Sequence, residues 1–101
     1  MKCYVFAYGT LLDSQIRFEI LGYPTTLTES TITGFRLEEI NLNGTNYPIL
    51  VEDTHNMESI NGGYFEIDLD DLEKIDAYES EAYLRKLINT DNARTTWVYY
   101  R

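Results

Sequence analysis

Two short stretches of this chain hold residue types that do acid/base chemistry. Tyr8-Gly9-Thr10-Leu11 closes an apolar first segment. A glycine there lets the chain turn sharply, so that the N–H groups of Gly9, Thr10 and Leu11 line a concavity for a carboxylate or an oxyanion, flanked by Tyr8. Asp76-Ala77-Tyr78-Glu79 closes the strongest helical pattern. At about 3.6 residues per turn, Leu69, Leu72 and Ile75 share a stripe that also takes in Asp76 and Glu79, whereas Asp70, Lys74 and Ala77 fall on the solvated side. An inward carboxylate in the last helical turn is pushed toward neutral pH by burial, by the negative end of the helix dipole and by the charge of Asp76. Glu79 is therefore predicted to be a general base and Asp76 its support. The same residues also read as a plain turn glycine and a hydrated glutamate at a frayed helix end.

The elements that must position these residues are short. Lys2 to Tyr8, aromatic and β-branched, suits a buried strand. Ser14 to Leu21 reads as a helix with Ser14 as N-cap and Ile16, Ile20 and Leu21 on one face; Gly22, Tyr23 and Pro24 stop it. Strand pieces follow at Ile32–Leu37 and Tyr47–Val51, expected to pair through an Asn43-Gly44 hairpin connection. Ile60–Ile67 alternates as a strand and carries Gly62-Gly63. A helix from about Asp70 to Glu79 comes next. Strands at Tyr83–Thr90 and Thr95–Arg101 meet at Asp91-Asn92, a pair that tolerates left-handed geometry. This order predicts a single α+β domain over residues 1–101: a small mixed β-barrel, curled or closed, with one or two packed α-helices and a pocket at one end.

Composition narrows the function. A net charge of −9 in 101 residues disfavours nucleic acid, whose phosphates call for clustered Lys and Arg. No apolar run approaches the roughly 20 residues that span a bilayer, and no cleavable signal pattern opens the chain, so a cytoplasmic protein without a membrane partner is expected. One cysteine and one histidine supply neither a disulfide nor the usual closed zinc site. Asp68, Asp70, Asp71 and Glu79 mimic part of a calcium loop, but Leu72 and Glu73 replace a ligand and the required glycine. Neither a metal nor a cofactor is expected. His55, in a polar connection, and Cys3, which opens a strand, read as structural.

Taken in order, Tyr8-Gly9-Thr10-Leu11, Tyr47-Pro48, Gly63-Tyr64-Phe65-Glu66-Ile67, Leu72…Ile75-Asp76-Ala77-Tyr78-Glu79…Tyr83-Leu84-Arg85 and Trp97-Val98-Tyr99 resemble the γ-glutamylcyclotransferase-like superfamily, particularly its γ-glutamylamine cyclotransferase branch. The resemblance covers nearly the whole chain. It implies a small barrel whose cavity holds a γ-glutamyl group, with Glu79 as acid/base residue. It also implies that the Tyr8–Leu11 backbone binds the substrate's α-carboxylate, and that Tyr83 and Tyr99 line the pocket. The position after the glutamate, commonly Gly in that family, is Ser80 here, and the loops between motifs are short. The implied reaction needs neither nucleophile nor cofactor: the α-amine of a γ-glutamyl group attacks its own γ-carbonyl, giving 5-oxoproline and a free amine. The leaving half is left open among a lysine side chain, an amino acid, an alkyl amine and a larger metabolite. A non-catalytic small-ligand-binding or regulatory module using the same cavity is the alternative, and an acidic, Tyr-rich protein-interaction surface is a third.

Overall fold

The apolar run Val5-Phe6-Ala7 is almost wholly inaccessible to solvent, and the molecule is built outward from it. The computed structural model describes residues 1–101. In chain order the elements are β1 (Lys2–Ala7), α1 (Ser14–Leu21), β2 (Thr28–Ile32), β3 (Phe35–Leu42), β4 (Thr45–Glu52), β5 (Ile60–Asp68), α2 (Leu72–Glu79), β6 (Leu84–Asn89) and β7 (Thr95–Tyr100). Single 3-10 turns precede each helix, at Thr10–Leu12 and Leu69–Asp71. β1 sits at the centre of a five-stranded sheet of order β2-β5-β1-β7-β6, antiparallel to β5 and parallel to β7. Successive side chains of a strand face opposite sides. Val5 and Ala7 accordingly join Phe65, Ile67 and Tyr99 beneath the helices, where Leu21, Leu72 and Ile75 cover them. Phe6 points the other way, into a second cluster with Ile32, Phe35, Leu50 and Val98 under the β3–β4 hairpin. Both faces of β1 are thus covered, which is why it reads as a continuous apolar run.

The α+β class is as expected, and the sheet is curled without closing: β3 and β4 form a separate two-stranded sheet. Two backbone bonds mark where the curl almost meets. Asp91 N–H donates to Thr31 O and Arg101 N–H to Leu50 O, both at 2.8 Å. β5 permits the tight curl between β1 and β2 because Gly62 has no side chain; a Cβ there would lie 2.1 Å from the Ala7 carbonyl oxygen.

Four local expectations shift by a residue or two. The strand expected over Ile32–Leu37 is broken at Gly34, whose φ of 95° turns the chain from one sheet into the other. Asp13, not Ser14, caps α1, accepting a 2.8 Å bond from Gln15 N–H. The regular part of α2 starts at Leu72 because Leu69–Asp71 is wound more tightly. In the β6–β7 turn the left-handed residue is Ala93 (φ 68°), while Asp91 accepts from the Thr31 and Thr33 hydroxyls. Asn43 and Gly44 take positive φ as a tight hairpin requires, and β3 and β4 pair in register from Phe35↔Glu52 to Leu42↔Thr45. No helix is long and apolar enough to cross a membrane.

Candidate active site

β1 ends at Ala7, and the next four residues turn across the mouth of a cavity of about 340 Å³. The corner is a 3-10 turn closed by Leu12 N–H to Gly9 O (3.0 Å) and Asp13 N–H to Thr10 O (3.1 Å). The first N–H groups of such a turn have no partner within it, so those of Gly9, Thr10 and Leu11 are the ones the geometry frees. The corner is held from behind by Arg17 of α1, a buried cation the sequence reading passed over. Arg17 Nη1 donates to the carbonyls of both Leu11 and Leu12 at 2.9 Å, its Nε donates to Thr25 Oγ1 at 2.7 Å, and its guanidinium lies 5.3 Å from the centre of the Phe65 ring. At about 100° per residue Arg17 falls between Ile20 and Leu21 on the apolar face of α1, and a charge placed there is the signal that could have found it. Gly9 is required by close approach: a Cβ would stand 2.8 Å from Pro48 Cγ, so any side chain would push the corner away from β4.

Glu79 ends α2 on the far wall of the same cavity. Burial pushes its carboxyl up to about 7. The expected help from Asp76 is absent, because Asp76 is engaged elsewhere: its Oδ1 accepts from Arg85 Nε at 2.8 Å and from the Tyr99 hydroxyl at 2.6 Å. Arg85 also stacks on Trp97, 4.4 Å from the ring centre. Asp76 therefore supports the site through Tyr99, a neighbour that helical periodicity could not reveal.

Seven of the residues singled out from sequence meet at this cavity: Tyr8, Gly9, Thr10, Leu11, Glu79, Tyr83 and Tyr99 line it, whereas Asp76 does not. Burial raises the phenols of Tyr8, Tyr83 and Tyr99, and the negative charge of Glu79 adds to the rise at each, as it would for rings grouped around one carboxylate. The hydroxyls are tied back to the scaffold. Tyr8 donates to Tyr99 O at 2.6 Å and Tyr83 to Pro48 O at 3.0 Å. Tyr78 joins the two halves directly, its hydroxyl donating to Thr10 Oγ1 at 2.7 Å. Tyr78 was not picked out from sequence, nor was the tip of the β3–β4 hairpin, whose Leu42, Asn43 and Thr45 complete the wall beside Tyr47 and Pro48. Hairpin tips carry no chemical signature, and only the fold brings this one to the cavity. Cys3 and His55 lie outside it; burial pushes the Cys3 thiol up, which makes it a poorer nucleophile.

Ser80 follows Glu79 with φ 67° and ψ −176°, a conformation that glycine adopts freely and serine at a cost. Ser80→Gly is expected to stabilise the fold by about 1 kcal/mol, raising the melting temperature by roughly 4–8 °C. An unchanged or lower melting temperature in a thermal scan would show that the turn is not strained.

The sequence profile of the family described as "Gamma-glutamyl cyclotransferase, AIG2-like" matches residues 5–101, from the middle of β1 to Arg101. The chain belongs to this family. Its fold is similar to the solution structures of two Arabidopsis thaliana proteins. With At5g39720.1 it shares 25% identity at a TM-score of 0.77, covering 98% of this chain and 68% of that one. With At3g28950.1 the figures are 22% and 0.79, covering 99% and 62%. It is also similar to a structure described as "Gamma-glutamyl cyclotransferase", at 13% identity and a TM-score of 0.76, covering 99% of this chain and 66% of that one. This family member thus spans about two thirds of the length of these structural relatives. No curated protein matches it by sequence.

Proposed function

We propose that this chain is a γ-glutamylcyclotransferase-type enzyme that releases 5-oxoproline and a free amine from a γ-glutamyl amine or γ-glutamyl amino acid. The observation that carries the reading is Glu79. It is the one formally charged side chain lining the cavity, burial holds its carboxyl near neutral pH, and it faces a corner of free backbone N–H groups. A carboxyl poised near 7 both takes and returns protons at neutral pH, as an internal aminolysis requires.

In the proposed mechanism the substrate's α-carboxylate lies on the N–H groups of Gly9, Thr10 and Leu11, which folds the γ-glutamyl chain back on itself. Glu79 takes a proton from the α-ammonium, and the freed amine attacks the γ-carbonyl carbon. A C–N bond forms to close the five-membered ring, and the original amide C–N bond breaks. Glu79 returns its proton to the departing nitrogen and takes the second proton from the ring nitrogen for the product amine, so two protons pass between the nitrogens and none is consumed. Holding both reacting groups of one molecule in contact is worth several kcal/mol, on the order of what well-oriented intramolecular reactions gain. Tyr8, Tyr83 and Tyr99 bind substrate and keep water from Glu79.

The test is mass-spectrometric detection of 5-oxoproline from a panel of γ-glutamyl amines and γ-glutamyl amino acids. Release above the spontaneous rate is the expected result. Tight binding of the same compounds without turnover would replace the enzyme reading with a binding module.

A further inference from the structure

Asp76 and Glu79 stand three residues apart in α2, so their carboxylates are neighbours on one helix face. Like charges so placed repel, and an uncompensated Asp76 would hold the proton on Glu79 well above neutral pH. Yet burial alone raises the Glu79 carboxyl, and Asp76 adds nothing to the rise. The geometry shows what cancels its charge.

Arg85 pairs with Tyr99 across the β6–β7 ladder, which by strand alternation sets it on the same face as Tyr99 and, diagonally, Trp97. Its guanidinium lies 4.4 Å from the centre of the Trp97 ring while Nε reaches Asp76 Oδ1 at 2.8 Å. An indole against the plane and a carboxylate at Nε hold the group in two ways at once. The same Asp76 oxygen accepts from the Tyr99 hydroxyl at 2.6 Å, and the Tyr99 carbonyl accepts from Tyr8 at 2.6 Å. One chain of contacts thus runs from Trp97 through Arg85, Asp76 and Tyr99 to Tyr8, and its last two members line the cavity with Glu79.

The other ionisable groups around Glu79 are phenols: Tyr8 beyond β1, Tyr47 on β4, Tyr78 on α2 itself, Tyr83 before β6 and Tyr99 on β7. Arg17 of α1 is turned to the carbonyls of Leu11 and Leu12 behind the corner. The formal charge nearest Glu79 is therefore that of the Asp76–Arg85 pair.

We propose that Arg85 is a positioning residue for the acid/base step: by holding and neutralising Asp76 it fixes Tyr99 at the cavity wall and shields Glu79 from the neighbouring carboxylate, so that Glu79 works as a base at neutral pH. This rests on the reading of Glu79 as the acid/base residue of a cyclotransferase.

The test is a charge cycle, read by carbon-13 NMR titration of the Glu79 carboxyl and by the pH profile of kcat/KM for 5-oxoproline release. Arg85→Met keeps an apolar stem on Trp97 and removes the charge. It is expected to raise the Glu79 midpoint by about one pH unit, solvent holding the shift to that size because the Arg85 and Asp76 side chains are 32% and 36% exposed. At pH 7 kcat/KM should fall about fivefold, the loss of ionised Glu79 that such a shift makes, and recover by pH 9. Asp76→Asn alone should lower the midpoint, since it leaves Arg85 unopposed, and the double variant should return it to the wild-type value. Arg85→Lys, which keeps the charge, should restore it as well. An arginine that only braces the fold would cost stability and kcat at every pH without these opposed movements. A midpoint that stays put in Arg85→Met and Asp76→Asn, or moves the same way in both, would overturn the inference and leave the cyclotransferase reading standing. Opposed movements without release of 5-oxoproline would keep the coupling of Arg85, Asp76 and Glu79 and overturn the cyclotransferase reading.

Discussion

Glu79→Gln is expected to lower kcat for 5-oxoproline release by about 10²- to 10⁴-fold, the range removed with a positioned general acid/base. Glutamine keeps the volume and much of the hydrogen bonding of the side chain, so substrate affinity should change little and the loss should fall on kcat. In the wild type, kcat/KM should rise with pH through a midpoint near 7, where burial places the Glu79 carboxyl, because only the carboxylate can take the first proton. That limb should vanish from the residual activity of the variant. Full turnover by Glu79→Gln would refute the mechanism outright.

The same residue has an opposite effect on stability. Its folded pKa of about 7 lies above the ordinary 4.5, so the charged form is disfavoured by the fold, and the protein loses stability as pH rises from about 4.5 through 7. Glu79→Gln should therefore melt higher than wild type at pH 8, by an amount on the order of 1–2 kcal/mol once the partial solvation of the side chain is allowed for. The advantage should disappear near pH 4, where both side chains are neutral. An inactive variant that is more stable only at alkaline pH would distinguish a strained functional carboxylate from a surface residue. Calorimetry across this pH range reads it directly.

Arg17→Met is expected to destabilise the fold by roughly 3 kcal/mol, about 12–24 °C in melting temperature for a domain this size, and to raise KM in whatever remains folded. Methionine replaces the apolar stem of Arg17 but leaves the carbonyls of Leu11 and Leu12 and the Thr25 hydroxyl without the donors they now have. Buried acceptors left unpaired cost more than the bonds themselves contributed. With its rear anchor gone, the Gly9–Leu11 corner should lose its fixed orientation, so binding of the γ-glutamyl carboxylate would weaken before the chemistry of Glu79 does. Arg17→Lys should recover part of the stability but not all three bonds, since an ammonium lacks the fork of a guanidinium. A melting temperature for Arg17→Met within 2–3 °C of wild type, roughly what a surface substitution gives, would show that the anchor is unimportant.

Much of this molecule is written in local pattern. The apolar stretch of β1, the apolar spacing of Leu72 and Ile75, and the Asn43-Gly44 turn each specify their element through interactions within a few residues, and they formed nearly where expected. The two stretches that meet at the cavity stood out in the sequence for the same reason. A glycine at a strand end and a carboxylate on the apolar stripe of a helix are departures from local rules, and such departures mark positions held by something other than secondary structure.

Tertiary structure decided the rest. Gly34 looks like one more residue inside an apolar strand, and only the need to pass from one sheet to the other gives it a positive φ. Periodicity places Asp76 on the inward stripe, yet its partners are nine and 23 residues away, so its charge serves Tyr99 and Arg85 and leaves burial to tune Glu79. The hairpin tip reaches the cavity only through contacts between elements distant in sequence. Local chemistry along the chain determined which residues could react; long-range packing determined what they meet, because burial and charge pairing exist only once the strands have curled together.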